Sequence, residues 1–273
     1  MLLGLTTRLA VVGAIHDVAA RGFARVPDEY ERGRPSYEPE IVACLTDVLG
    51  LRPGRRVLDL AAGTGKLTRA LVPTGAALVA VEPVAEMRAR LEAAVPEARV
   101  LAGTAETIPL EEGSVDAVTV GQAFHWFRGG EALAEIHRVL RPFGRLALVW
   151  NRRDDHARWV ARLTEIMEPY RGNAPAYRGG AWRAAFERTE LFGPLEHRRF
   201  RLEHGLDREG VVARVLSVSF IATLPEAERE AVAARVRTLL ASDAATRGRD
   251  RLVLPYVTDL FWCERLPVAA AHD

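Results

Sequence analysis

An acidic residue followed by two closely spaced glycines is the pattern in this sequence that most directly suggests chemistry. Asp59 lies in a short, mostly apolar segment, Arg56 to Leu60, and Gly63 and Gly65 follow it. Such a segment between turn residues is typical of a buried parallel strand, and the glycines allow a tight turn against which a ligand can lie. The helix predicted after the turn would direct unpaired backbone N–H groups at that ligand. The pattern therefore predicts a binding site at the carboxyl end of this strand.

The spacing within the turn separates the ligands that it could hold. A P-loop needs G-x-x-x-x-G-K-[ST], but Leu60 and Leu67 stand at the first glycine and at the Ser/Thr position, so the magnesium-binding hydroxyl is missing. A dinucleotide fingerprint needs a third glycine where Thr68 stands, and that alternative stays open. A carboxylate beside the turn suits a ligand with an ammonium and a sulfonium better than one with two phosphates. A plain strand-to-helix turn without a ligand is the remaining alternative.

A second acidic residue ends the next predicted strand. Ala76 to Val81 is apolar, and Glu82-Pro83 follow it, so that Glu82 lies 23 residues after Asp59. At about this distance an open α/β sheet places the acid that accepts hydrogen bonds from a ribose diol, although a lone strand-end carboxylate is more often only solvated. Met87 would lie near the same edge, where its thioether could pack on adenine or fill the core.

Polar residues also follow the third and fourth predicted strands. The third strand covers 99–101, and the fourth covers 115–120. Polar and aromatic residues after a parallel strand lie where open α/β folds bind substrates, although the aromatic ones can instead pack under a loop. His125 is therefore either a catalytic or substrate-contacting residue or a hydrogen-bonded structural histidine. The residues in question are Thr104, Ala105 and Glu106 after the third strand, and Gln122, His125 and Trp126 after the fourth.

Taken together, these segments resemble the class I methyltransferases that bind S-adenosylmethionine. Their first motif reads D-x-G-x-G-x-G, and here Ala61 replaces the first glycine. The family has G-D-A-E after the third strand, where its Asp meets the adenine amine, and this chain has Thr104 instead. The sequence around Arg141-Pro142-Phe143-Gly144 is similar to the family's L-R-P-G-G-R-L. The resemblance covers roughly residues 22 to 154 well and the rest only loosely.

The segment from Tyr30 to Tyr37 resembles the Y-x-x-x-R-P-x-Y entry segment of one branch, the small-molecule methyltransferases similar to trans-aconitate methyltransferase. Members of that branch often carry H-W-F after the fourth strand. The resemblance implies S-adenosylmethionine as cofactor and His125 and Trp126 as candidate catalytic residues. His125 would act as a base toward a phenol or amine, and would only orient a carboxylate. The implied cofactor-binding residues are Tyr30, Arg34, Asp59, Ala61, Gly63, Thr64, Gly65, Glu82, Pro83, Met87, Thr104, Ala105, Glu106 and Gln122.

Composition limits the classes of function further. The 273 residues carry a formal net charge of +1, which argues against broad nucleic-acid binding. Cys44 and Cys263 are far apart and form no C-x-x-C, so the sequence predicts a reducing cytoplasm and no metal site. The early apolar run, Leu9 to Ile15, is too short for a signal peptide or a membrane span. The expected partner is a small-molecule substrate, and the protein is expected to be a bacterial monomer or homodimer.

The predicted fold is α/β and Rossmann-like, with a seven-stranded, mostly parallel sheet, an antiparallel edge strand and a helical insertion near the C-terminus. We divide the chain into an N-terminal extension (1–21), a cofactor-binding core (22–154) and a region of helices and the last two strands (155–273). An apolar helix over 210–223 and a second one to about Ser242 form the insertion. It is interpreted as a roof over a substrate pocket, with a thickened core or a dimer face as alternatives.

Two other classes of function stay open. A nicotinamide oxidoreductase would need the third glycine and a base of the Tyr-x-x-x-Lys kind, but Lys66 in the turn is the sole lysine. A non-catalytic, adenosylmethionine-binding regulatory protein would be expected to lack polar groups after the fourth strand. Gln122 and His125 favour an enzyme over that alternative.

Overall fold

A seven-stranded sheet organises the protein in a computed structural model that describes residues 35–173, 175 and 177–267. The predicted extension over 1–21 and the site residues Tyr30 and Arg34 lie outside the described residues. The strands are β1 Arg56–Leu60, β2 Ala77–Val81, β3 Arg99–Leu101, β4 Val115–Gly121, β5 Leu140–Arg153, β6 Glu196–Asp207 and β7 Arg251–Glu264. The α-helices are α1 Pro39–Leu49, α2 Lys66–Leu71, α3 Ala85–Ala94, α4 Gly129–Val139, α5 Arg158–Met167, α6 Arg183–Glu187, α7 Arg208–Leu216, α8 Ser219–Ala222 and α9 Glu226–Ser242.

The strand order is β3-β2-β1-β4-β5-β7-β6. Strands β1 to β5 pair in parallel, whereas β7 is antiparallel to both β5 and β6. The chain reverses its direction of growth at β1, first adding β2 and β3 on one side and then β4 and β5 on the other. Ligands of open α/β sheets bind at such a switch point, outside the carboxyl ends of the strands. The predicted fold class is thus confirmed.

The central strands are apolar because both faces of the sheet are covered by helices. In β4, the side chains from Val115 to Val120 are all buried, and β1 and β2 are buried except at their first residues. Amphipathic helices supply the covering layer, as in α4, where Leu133, Ile136 and Val139 are inaccessible to solvent. A buried aliphatic side chain of this kind stabilises the fold by about 1.5–3 kcal/mol.

Some element boundaries differ from the sequence predictions. The segment resembling L-R-P-G-G-R-L lies inside β5, which begins at Leu140 and has a register shift against β4 around Arg141–Gly144. Phe143 in this segment has φ 63° and is 81% exposed, where the resembling family has a glycine that adopts such a conformation without strain. The predicted helix over 210–223 is interrupted at Ser217 and Val218, which separate α7 from α8.

The insertion between β6 and β7 consists of α7, α8 and α9. Helix α9 packs on α5 and α7, and their contacts form a second apolar cluster that includes Leu163, Val211, Val236 and Ile221. The insertion is therefore anchored to the sheet domain by its own core. No helix within the described part of the chain is long and apolar enough to span a membrane.

Candidate functional site

The turn between β1 and α2 takes up an unusual backbone conformation. Ala61 (φ 55°), Gly63 (φ 60°) and Gly65 (φ 84°) all have positive φ. The turn is fixed to the neighbouring strand because the Ala62 N–H donates to the Val81 carbonyl at 3.2 Å. Ala61 takes this conformation despite its Cβ, which disfavours it by about 1–2 kcal/mol relative to the right-handed helical region. The glycines give the open cradle that the sequence pattern predicts.

Asp59 lies at the bottom of this cradle and is 2% exposed. Its carboxylate accepts hydrogen bonds from the hydroxyls of Thr68 at 2.6 Å and Thr119 at 3.1 Å. Burial raises the pKa of Asp59 to about 6, and the two threonine hydroxyls limit the rise. Thr68, at the third-glycine position of a dinucleotide fingerprint, therefore orients the carboxylate that faces the cavity.

Glu82 joins the end of β2 to the same turn. One carboxylate oxygen accepts the Gly63 N–H at 2.9 Å and the other accepts the Val84 N–H at 3.0 Å. Burial raises the pKa of Glu82, and these two backbone N–H groups oppose the rise. Each oxygen keeps a lone pair for a ribose hydroxyl, so the geometry is compatible with that predicted contact. The Pro83 carbonyl accepts from Arg88 at 2.7 Å, and Met87 is 2% exposed on α3.

The segment after β3 contains an unsatisfied hydroxyl. Thr104 is 8% exposed, and its Oγ1 atom is buried without a hydrogen-bond partner. An unpaired buried hydroxyl is unfavourable, and an adenine amine is a donor of the kind that it lacks. Ala105 is buried beside it. Glu106 accepts the Arg128 N–H at 3.0 Å at the start of α4. A contact of Met87, Thr104, Ala105 or Glu106 with a cofactor stays a prediction.

A cavity of about 570 Å³, which includes open solvent at its mouth, brings many of the predicted residues together. Asp59, Ala61, Gly63, Thr64 and Gln122 line it, whereas Glu82 and Met87 are not among its described lining. The other lining residues are Pro35, Tyr37, Ala62, Lys66, Leu67, Gly121, Asn151 and Arg214. The carboxyl ends of β1, β4 and β5 thus share one cavity, as the strand order requires.

The end of β4 is shaped by a close approach of Tyr37. A Cβ atom on Gly121 would lie 2.7 Å from the Tyr37 hydroxyl and 3.3 Å from Leu67. Gln122 follows with φ 62°, and its N–H donates to the Val149 carbonyl at 2.8 Å. This backbone conformation turns the chain so that Gln122 lines both the first cavity and a second one beside it.

The second cavity encloses about 900 Å³, again with open solvent included, and Gln122, Asn151 and Arg214 line both cavities. The β4 loop contributes His125 and Trp126, and the insertion contributes Val218, Ser219 and Phe220. The lining is completed by Arg152, Arg153, Arg171, Pro175, Tyr177 and Arg178. The insertion thus forms part of the wall of a cavity adjacent to the glycine turn.

His125 makes a hydrogen bond that restricts its chemistry. The Trp150 indole Nε1–H donates to His125 Nδ1 at 3.2 Å. Because Nδ1 accepts, the neutral ring carries its proton on Nε2 and acts there as a donor. A general base needs a lone pair that can take a proton, and both nitrogens are committed in this tautomer. The geometry therefore favours the orienting role for His125 over the role of a base.

Sequence reasoning missed Asn151, Arg153 and Arg214. Asn151 and Arg153 come at the end of β5. Because ligands bind beyond the ends of parallel strands, their position could have identified them as candidate site residues. Arg214 lies in the segment interpreted as an apolar helix, and it is 8% exposed. A lone cation within an apolar helix was the available signal, because burying a charge needs a compensating function or partner.

Among the described residues, no group of three or more His, Cys, Asp or Glu side chains could hold a metal ion.

Comparison with known proteins agrees with this geometry. Residues 58–148 match a sequence family described as a methyltransferase domain. An "uncharacterized methyltransferase" of Mycobacterium tuberculosis is 43% identical over 236 residues, 86% of this chain and 92% of the relative. An "uncharacterized methyltransferase-like" protein of Schizosaccharomyces pombe is 37% identical over 240 residues, 88% of this chain and 93% of the relative.

Solved structures show the same fold. A structure assigned to the type II methyltransferases, from Anaeromyxobacter dehalogenans, superimposes with a TM-score of 0.64 at 23% identity, over 86% of this chain and 99% of that chain. The fold and the site define a class I methyltransferase. The chain belongs to the methyltransferase family of these relatives, and it is an enzyme of that class.

Proposed function

We propose that the protein transfers a methyl group from S-adenosylmethionine to an oxygen, nitrogen or carbon nucleophile of a small molecule. The observation that carries the proposal is the pair of adjoining cavities. One contains the glycine turn and Asp59, the other lies under the insertion, and Gln122, Asn151 and Arg214 line both. Two ligands held in these cavities would meet at the three shared residues.

The residues of the first cavity fit the proposed cofactor. Asp59 offers a carboxylate for its ammonium, Glu82 has free lone pairs for its ribose, and the Thr104 hydroxyl lacks a partner that an adenine amine would supply. Tyr30 and Arg34 are proposed as further contacts. When bound, S-adenosylmethionine supplies an electrophilic methyl group on a sulfonium. The chain has then mainly to position the acceptor and exclude water.

The second cavity is proposed to hold the small-molecule substrate. The insertion contributes Arg214, Val218, Ser219 and Phe220 to its wall, and the side chains of His125 and Trp126 lie in the same wall. We further propose that the enzyme works in the cytoplasm as a monomer or homodimer, without nucleic acid or membrane as a partner. Cys44 and Cys263 are free and buried, in keeping with a reducing compartment.

Isothermal titration of the purified protein with S-adenosylhomocysteine, with NADH as the comparison ligand, tests the proposed cofactor. We expect micromolar affinity for S-adenosylhomocysteine and no binding of NADH, because the turn presents Asp59 rather than a pyrophosphate site. Binding of NADH alone would refute the proposal and make the turn a dinucleotide site. Small acids, amines and phenols are then screened with a labelled methyl donor. Transfer of the label shows catalysis, whereas binding without transfer indicates a non-catalytic protein.

The affinity for S-adenosylhomocysteine should depend on pH through Asp59. Without ligand, a carboxyl with a pKa of about 6 is protonated in acid, whereas the ligand's ammonium favours the ionised form. Binding must then release a proton, so we expect affinity to be constant above about pH 7 and to fall by up to about tenfold per pH unit below about pH 6. Titrations from pH 5 to pH 8 measure this.

The variant Asp59→Asn is the control for that pH profile. It keeps an acceptor for the hydroxyls of Thr68 and Thr119 but cannot ionise. We expect weaker binding at pH 7.5 and a flat profile between pH 5 and pH 7. A variant that kept the wild-type slope would show that another group titrates.

A further inference from the structure

The second cavity has a strongly cationic wall. Five arginines line it, and no aspartate or glutamate is among its described lining residues. Three of the five form ion pairs, because Arg152 pairs with Asp259 at 2.8 Å, Arg171 with Glu168 at 2.9 Å and Arg178 with Asp155. The remaining two, Arg153 and Arg214, form no ion pair with a carboxylate of the described residues.

Arg153, which is partly buried, and Arg214, which is buried, are cations whose charges act on each other. The Nε atom of Arg153 is buried and lacks a hydrogen-bond partner, and Arg214 is 8% exposed. Burial and the charge of Arg214 lower the pKa of Arg153 to about 10. Two buried like charges without a counterion are unfavourable, and an anion between them would relieve both the repulsion and the unsatisfied donor.

The surroundings hold Arg214 in place for such an anion. Its Nε donates to the Tyr256 hydroxyl at 2.8 Å, and an Nη atom reaches Ser217 Oγ at 3.5 Å. Tyr256 is 1% exposed, so it is a rigid support. The carboxylate whose charge acts on Arg153 is that of Asp155, which is already hydrogen-bonded to Arg178. The two arginines are therefore held in position and charged, and no carboxylate of the described residues pairs with them.

We propose that the substrate is a carboxylic acid with an apolar body, and that its carboxylate binds to Arg153 and Arg214 and is itself the methyl acceptor. This rests on the proposed methyltransferase function and names its substrate class. Guanidinium groups match the planar carboxylate in shape and charge. Trp126, Val218 and Phe220 line the cavity and would pack against the apolar body.

The position of Arg214 makes the anion the acceptor rather than a remote anchor. Arg214 lines both cavities, so a carboxylate bound to it lies where the two ligands meet. A carboxylate oxygen supplies the electron pair of the new carbon–oxygen bond, and the pair of the broken sulfur–carbon bond stays on sulfur. No proton is removed, which agrees with a His125 that is a donor and not a base. The product is a neutral methyl ester, which loses its attraction to the arginines and is released.

Binding to the protein saturated with S-adenosylhomocysteine tests the proposal without turnover. The probes are 3-phenylpropanoate and octanoate, each with its neutral amide, and inorganic phosphate as a simple anion. We expect each acid to bind at least tenfold more tightly than its amide and than phosphate. Equal affinity of acid and amide, equal affinity of phosphate, or no measurable binding of either acid would overturn the proposal.

The variant Arg153→Met tests the residue assignment, because Arg153 lines only the second cavity. We expect it to lose the preference for the acid at least tenfold while its affinity for S-adenosylhomocysteine stays within threefold of wild type. Arg237→Met is the matched control, since Arg237 is paired with Glu209 at 2.6 Å and lines neither cavity. We expect less than a threefold effect on acid binding. An acid preference that persists in Arg153→Met refutes the assignment.

Two further readouts keep this inference separate from the proposed function. If wild type fails to bind S-adenosylhomocysteine, the proposed function itself fails. If wild type binds S-adenosylhomocysteine but shows no acid preference, only the substrate class fails.

Mass spectrometry of the reaction with S-adenosylmethionine then checks which atom accepts the methyl group. We expect a methyl ester of a bound acid, and methylation of another atom would contradict an acceptor carboxylate.

Discussion

Replacing Gly65 by alanine should lower the free energy of unfolding by about 3 kcal/mol and weaken S-adenosylhomocysteine binding more than tenfold. Gly65 has φ 84°, and an added Cβ would lie 2.9 Å from Leu91 Cγ and 3.2 Å from Val95 Cγ2. The left-handed conformation costs a non-glycine residue about 1–2 kcal/mol. Overpacking against two fully buried side chains adds about 1–3 kcal/mol. Urea denaturation gives the stability, and isothermal titration gives the affinity.

The matched control is Gly113→Ala. Gly113 also has positive φ, at 58°, but a Cβ there would meet nothing within 4 Å. We expect it to lose only the conformational part, about 1 kcal/mol, and to bind S-adenosylhomocysteine as wild type does. Similar losses of stability in both variants would show that packing of α3 against the turn does not contribute. A Gly65→Ala protein with normal affinity would show that the turn tolerates a shift of α3.

The part of the site that the sequence predicted depends on patterns within short segments, namely strand ends and glycine turns. Asp59 and Gln122 could be placed together because parallel strands end at one edge of the sheet, and each residue lies near the end of an apolar segment or directly after one. The positive φ values of Gly63 and Gly65 were foreseeable because glycine alone adopts them without cost. In each case the signal lies within a few residues of chain.

The unpredicted part depends on contacts between distant segments. The sequence offers more than one role for His125, and its bond to Trp150 on β5, which favours orientation over proton removal, joins segments that are distant in the chain. Arg214 belongs to a helix that the sequence marks only as apolar and as part of a roof, and the packing of the insertion over the strand ends is what places this arginine at the cavities. The register shift at the start of β5 was also unforeseen, since Phe143 gives no sign of a positive φ.

Asp259 connects several of these distant segments, and Asp259→Asn should destabilise the protein by about 3 kcal/mol at pH 7. Asp259 is 1% exposed and accepts from Arg152 at 2.8 Å and from Tyr177, His197 and Arg199 at 2.9 Å each. Removing one partner of a buried ion pair leaves the others uncompensated, which typically costs about 3–5 kcal/mol. We take the lower end because Arg199 is largely exposed and screened by solvent. Urea denaturation measures the difference.

The pH dependence of this difference has a definite sign. The surrounding donors lower the pKa of Asp259 to about 2 in the folded protein, against 3.8 as its ordinary value. Its contribution is therefore complete above about pH 4 and is lost as the pH falls through about 2. We expect the stabilities of wild type and Asp259→Asn to converge between pH 4 and pH 2. A constant gap would mean that packing, and not charge, accounts for the loss.

Asp116→Asn separates the functional consequence from the loss of stability. Asp116 is also buried, binds Arg55 at 2.8 Å and Arg141 at 3.0 Å, and lies at the amino end of β4, opposite the cavities. We expect Asp259→Asn to weaken 3-phenylpropanoate binding at least tenfold, because Arg152 and Tyr177 both line the second cavity and both depend on Asp259 for their position. Asp116→Asn, with a comparable loss of stability, should bind the acid as wild type does. If both variants lost binding equally, the effect would come from general loosening of the fold, because Asp116 holds its arginines at the end of the sheet away from the cavities, whereas Asp259 holds Arg152 and Tyr177 in the cavity wall.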